Sequence, residues 1–148
     1  MSEEDRGFFA WQHAALGWLL AWGVASIVAG AGLATNRRQE LRQIGLQSIV
    51  WGAIDAGLAL NGRHGARKNQ HRDPASAPRS GSQEAARFQR IVAINAGLDL
   101  LYIAGGFRLA QTAQRNPGRY GTGLGITIQG AFLLLYDSLL TWLVAKWR

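Results

Sequence analysis

Ile91 to Phe107 is a run of seventeen residues whose polar members are Asn95, Asp99 and Tyr102. Charge closes it abruptly, with Arg87 and Arg90 before it and Arg108, Arg115 and Arg119 after it. At about 1.5 Å rise per residue, a helix from Phe88 to Leu109 spans roughly the hydrocarbon core of a bilayer. Three further runs repeat the pattern. Ala14 to Thr35 is twenty-two residues without a charge, Ile44 to Leu60 is seventeen residues containing Gln47 and Asp55, and Gly121 to Ala145 is twenty-five residues containing Gln129 and Asp137. Polar connectors separate the four runs. The pattern predicts an all-α, polytopic membrane protein, a bundle of four transmembrane helices near residues 8–35, 42–61, 87–113 and 120–146, with no β structure.

Composition bears on the partners. Mean hydropathy is near zero only because apolar runs and very polar connectors cancel. The net charge of +7 comes from Lys and Arg that sit nearly all in connectors, where phospholipid headgroups account for them better than nucleic acid does. Six Trp in 148 residues suit membrane interfaces. Cysteine is absent, which excludes disulfides and thiolate chemistry.

Taken in order, the acidic lead Met1 to Gly7 lacks the positive n-region of a signal peptide, so the first run reads as a retained span. The short basic connector Asn36 to Gln43 demands an antiparallel return. Asn61 and Gly62 read as a helix stop, and the Gly-, Ser-, Pro- and Arg-rich stretch 63–86 reads as a flexible linker, with no helix through Asp73 to Ala77. Ser80 to Glu84 carries a capping signal for the third helix. Asn116-Pro117-Gly118 is a turn. Trp142, Lys146, Trp147 and Arg148 form an interfacial anchor. With four spans, both termini and the linker share a side that carries ten basic residues against six opposite, which predicts cytoplasmic termini by the positive-inside rule.

The two helix pairs look related: Gln47 precedes Asp55 by eight residues, as Gln129 precedes Asp137. The expectation is a bundle of two repeated helical hairpins, related about an axis along the membrane normal.

Depth gives the candidate site. Counted from the cytoplasmic end, Asp55, Asp137 and Asp99 lie about six, eight and eleven residues in, roughly 9 to 16 Å. Asn95 and His13 fall in the same half, and Gln47 and Gln129 lie deeper. Asn95, Asp99 and Tyr102 share one helical face. No Lys or Arg is available at that depth, so the three carboxylates cannot all remain ionised; they are partly protonated, hydrated or bound to a cation. The expected ion- or substrate-binding residues are Asp55, Asp99, Asp137, Asn95, Tyr102, Gln47 and Gln129, with His13 a contributor. No catalytic residue, resident metal or cofactor is expected. His64 and His71 are not spaced as zinc ligands.

Asn95-x-Gly97-Leu98-Asp99-x-x-Tyr102, followed by Gln129-Gly130 and Asp137 in the last helix, resembles a group of uncharacterised small four-helix bacterial membrane proteins. The resemblance covers the membrane part and implies the four-helix fold, without an activity; the expected location is a bacterial cytoplasmic (inner) membrane with both termini in the cytoplasm. The first-helix glutamate of the small multidrug transporters is missing, and fluoride-channel and vitamin K reductase patterns are absent.

Three functions follow from the carboxylate layer. The first is a proton- or cation-coupled transporter or channel. The second is a structural or accessory membrane protein in which the acids are interhelical glue. The third is a membrane-embedded metal-dependent hydrolase using His13 with the carboxylates. Small-xxx-small spacings such as Gly17/Ala21 and Ala93/Gly97 also allow a homo-oligomer.

Overall fold

The computed structural model describes residues 2–72, 80–113 and 115–148. Four long helices follow one another: α1 (Glu3–Ala34), α2 (Gln39–Gln70), α3 (Gly81–Gln111) and α4 (Pro117–Leu143), the last running into a 3₁₀ turn at Val144–Trp147. No strand occurs among the described residues. α1 packs antiparallel on α2 and α3 on α4, α2 and α4 join the two hairpins, and α1 meets α3 mainly at one end.

The helix starts are set locally. Ser2 accepts the Asp5 N–H while the Asp5 side chain accepts the Ser2 N–H, a reciprocal capping box. Ser80 and Gln83 repeat it for α3. At α4, the Asn116 side chain accepts the Arg119 N–H and Pro117 takes the first turn, where its missing donor costs nothing. Asp5 does more than cap its own helix. Its Oδ1 also accepts the Gly81 N–H at 2.6 Å, so one carboxylate sits on the positive ends of α1 and α3. Asp5→Ala is expected to cost about 1–2 kcal/mol, the upper range for a lost cap. Thermal unfolding in detergent checks this, and Asp5→Asn, which keeps an acceptor oxygen, should recover part of the loss.

Two expectations for the middle of the chain need correction. α2 does not stop at Asn61-Gly62 but continues to Gln70, and α3 starts at Gly81, so the linker expected over 63–86 is helical at both ends. The expectation for Asp73 to Ala77 lies outside the described residues. Gly62 is a packing residue and not a helix terminator: a Cβ there would lie 2.7 Å from Leu16 Cδ1. Arg63 holds the extension onto α1, its Nη1 donating to the His13 carbonyl at 2.9 Å across the space left by Gly17.

Glycine seams draw each hairpin together. A Cβ on Gly23 would lie 2.7 Å from the Gly52 carbonyl oxygen, and one on Gly30 would lie 2.6 Å from that of Gly45. In the second hairpin a Cβ on Gly106 would lie 2.8 Å from the Gly123 oxygen, and one on Gly130 would lie 3.3 Å from the Asp99 oxygen. The seams match in order and spacing, with Gly45 standing for Gly123, Gly52 for Gly130 and Gly23 for Asp99. On that match Asp55 falls opposite Leu133 and Asp137 opposite Ala59. The equal Gln–Asp spacing in α2 and α4 therefore does not mark equivalent positions; it is one helical turn out of step with the seams.

Polarity is distributed as in a bundle facing hydrocarbon. Large apolar side chains, among them Val28, Val50, Leu58, Ile94, Leu101 and Leu135, point outward, while Ser26, Asp55, Asp99, Gln129 and Asp137 are buried. An apolar cluster of Phe8, Phe9, Ala85 and Val144, with Trp11, Phe88 and Trp147 against it, packs α1, α3 and the 3₁₀ turn together near the end that carries both termini. Trp147 lies at that end and not in the bundle centre, and Trp142 is exposed. α1, α3 and α4 with its 3₁₀ turn are long and apolar enough to cross a membrane. α2 is not among them, because Gln39, Glu40 and Arg42 at one end and Arg63, Arg67 and Lys68 at the other flank an apolar stretch of only seventeen residues.

Candidate functional site

Asp55, Asp99 and Asp137 come from three helices and all point inward, with 2%, 3% and 6% of their surfaces exposed. Their depths follow from the seams. Gly23, Gly52, Asp99 and Gly130 mark one level, with Asp55 three residues beyond Gly52 and Asp137 seven beyond Gly130. At helical rise these offsets are about 4.5 and 10 Å, so the three do not share the one level expected, and Asp137 rather than Asp55 stands nearest the end carrying the termini. Side-chain direction closes part of the gap. Cα–Cβ bonds tilt toward a helix N-terminus, and α3 runs opposite to α2 and α4, so Asp99 leans toward the other two and they lean toward it.

Among the described residues, no hydrogen bond knits these carboxylates into the bundle. Oδ2 of Asp55 and Oδ2 of Asp99 are buried without a hydrogen-bond partner. Among the described residues none of the three forms an ion pair, since the cationic side chains that pair, Arg38 and Arg87, meet Glu40 and Glu84. Nor are any three His, Cys, Asp or Glu side chains among them gathered tightly enough to hold a metal ion.

A cavity of about 490 Å³ opens at the end carrying the termini and runs inward between the helices to Asp137. Asn95, Tyr136, Leu16, Phe88 and Val92 line it together with Asp137. Asp99 is one turn deeper than Asn95 and, like Asp55, does not line it. The arrangement is one carboxylate facing a cavity and two behind it in the closed interior.

The other expected residues divide. Asn95 is half-buried and joins Asp137 in the cavity lining. Gln129 is buried, and its Oε1 is occupied by the Trp22 Nε1–H at 3.0 Å. Gln47 is not with the carboxylates: it fills the seam of α2 and α4, where a Cβ on Gly125 would lie 2.7 Å from its own Cβ. Tyr102 does not donate to the acids, since its ring stands edge-on to Trp51 and the residue is 39% exposed on the outside of α2 and α3. His13 is half-buried, and its side chain neither forms a hydrogen bond among the described residues nor lines the cavity, while its neighbour Gln12 does line it.

Sequence reasoning missed the aromatic column that separates α1 from α4. Trp22 stacks on Phe132 at 3.7 Å between centroids, Phe132 on Tyr136 at 6.0 Å, and the Tyr136 hydroxyl donates to the Ala15 carbonyl at 3.1 Å. The available signal was Trp22 itself. An indole in the middle of an apolar run, away from either interface, needs a buried acceptor for its N–H.

Geometry and polarity thus define an all-helical protein of four long helices, apolar outside, with a polar, acid-lined interior. The chain matches a family of unknown function, DUF6992, over residues 18–138 and belongs to it. The match covers all three interior carboxylates and the aromatic column. No curated protein and no solved structure matches the chain significantly.

Proposed function

We propose that this chain is an integral membrane protein of four spanning helices that couples passage of a proton or another cation, as a transporter or channel, to protonation of Asp137, Asp99 and Asp55. The observation that carries the reading is a cavity ending on one carboxylate, with two further carboxylates buried behind it and lacking partners. Intramembrane acids without counter-charges are costly, and the resulting cost is what makes binding of a proton or cation favourable there. α2 enters the membrane in this reading although its ends are charged. Leu46, Val50 and Ile54 recur every fourth residue and are exposed, a lipid-facing stripe of about 12 Å flanked by interfacial Arg side chains. The basic residues of 63–90 then face the cytoplasm with both termini, and the bacterial inner membrane suits that asymmetry.

The structural alternative requires the acids to bridge helices. That work is done elsewhere, by the glycine seams and by the Trp22–Gln129 and Tyr136–Ala15 hydrogen bonds. The test is flux. Purified protein reconstituted in liposomes with a trapped pH dye should dissipate an imposed proton or alkali-cation gradient faster than empty liposomes, and Asp137→Asn should slow it at least tenfold. Equal rates for protein-containing and empty liposomes under both gradients would end the proposal.

A further inference from the structure

We infer that the cavity ending at Asp137 binds an organic cation with a bulky apolar body, the cationic centre lying against Asp137 and the body against the apolar wall. The inference rests on reading the cavity as the entrance to the transport site, and it names the class of solute that enters. Size comes first: about 490 Å³ is far more than a proton or a bare alkali ion needs and falls in the range that encloses a drug-sized molecule. Charge comes second. Glu84 and Arg87 at the mouth lie 3.8 Å apart as a pair, whereas Asp137 is more than nine-tenths buried, lines the cavity and has no partner among the described residues. An anionic solute would meet this carboxylate with repulsion, and a neutral one would leave it uncompensated. Wall chemistry comes third. Leu16, Leu19, Leu140 and Phe88 give the body an apolar surface, and two aromatic residues, Phe88 and Tyr136, are among the lining, a residue type that suits a poorly hydrated cation. Asn95 shares the lining with the acid and carries an amide oxygen able to accept from, or turn its dipole toward, positive charge.

The test uses tetraphenylphosphonium as probe, with full-length protein in lipid nanodiscs and empty nanodiscs to subtract partition into lipid. The wild-type protein should bind it saturably, one per chain, and the uncharged triphenylphosphine oxide should bind at least tenfold more weakly. Asp137→Asn should weaken phosphonium binding at least tenfold. Gly65→Trp gives an independent check, because Gly65 lines the cavity and a Cβ there meets nothing within 4 Å, so an indole can enter the mouth without disturbing the helices. It too should weaken binding while the thermal transition stays in place. Absence of saturable binding, equal affinity for the uncharged analogue, or unchanged affinity in a folded Asp137→Asn or Gly65→Trp protein overturns the inference. The two proposals fail separately: proton flux that depends on Asp137 without phosphonium binding removes only the organic cation, and binding without flux under any gradient removes only transport.

Discussion

Gly52→Leu is expected to lower the thermal unfolding midpoint severely, with a loss of about 3 kcal/mol or more, at the top of the range for overpacking. A Cβ at Gly52 would lie 2.6 Å from the Gly23 carbonyl oxygen and 2.9 Å from Ser26 Cβ, so even the first added carbon has no room. Those contacts are backbone and the root of a side chain, so no rotamer change relieves them, and α1 must move bodily away from α2. The same argument holds for Gly123→Leu in the second hairpin, where a Cβ would lie 2.5 Å from both the Gly106 oxygen and the Ala110 nitrogen. Specificity is checked at Gly57 and Gly97, where a Cβ meets nothing within 4 Å. Gly57→Ala and Gly97→Ala should be neutral or stabilising by up to about 1 kcal/mol, from helix propensity alone. Equal losses at seam and open glycines would show that close approach is not what holds the hairpins.

The contrast between seam and open glycines also explains which parts of the fold the sequence discloses. Helix number and order are legible because burial in a bundle with an apolar exterior leaves long uncharged runs, and Ser80 and Asn116 announce helix starts through local hydrogen bonding alone. The extent of α2 is not legible. Gly62 carries the same local signal as a helix stop, and only the approach of Leu16 from α1 reveals it as a packing site. The inward direction of Asp55, Asp99 and Asp137 follows from the cost of the alternative, because a carboxylate facing lipid has nothing to compensate it. The roles of Gln47 and Tyr102 do not follow in that way. An amide or a phenol is cheap enough at a seam or on an outer face that periodicity alone does not fix where it points. The correspondence of positions between α2 and α4 is hidden from the sequence for a related reason. Equal Gln–Asp spacing is a property of each helix separately, whereas the match between hairpins is set by backbone contacts that only the fold brings together.

Asp55→Ala should raise thermal stability while abolishing flux, and the opposing directions make it the most discriminating variant. Asp55 lies in the interior with Oδ2 unpartnered, beyond the reach of the cavity, so it keeps the full cost of burial and returns no hydrogen bond. Removing the carboxyl recovers that cost, about 1–3 kcal/mol for a buried polar group without a partner, less a small loss for the void where the group stood. A net gain of about 1 kcal/mol is expected in the unfolding midpoint measured in detergent. Flux in liposomes should fall at least tenfold, because on the proposed path Asp137 takes a proton or cation from the cavity and Asp55 is one of the two groups that would pass it onward. Stability bound to function in this inverse way is what a site maintained at the expense of packing produces. If Asp55→Ala instead lowered the midpoint by more than 1 kcal/mol and left flux unchanged, the carboxylate would be holding α2 to its neighbours. The acids would then have to be read as structure, and the open cavity at Asp137 as a feature that the remaining interior does not use.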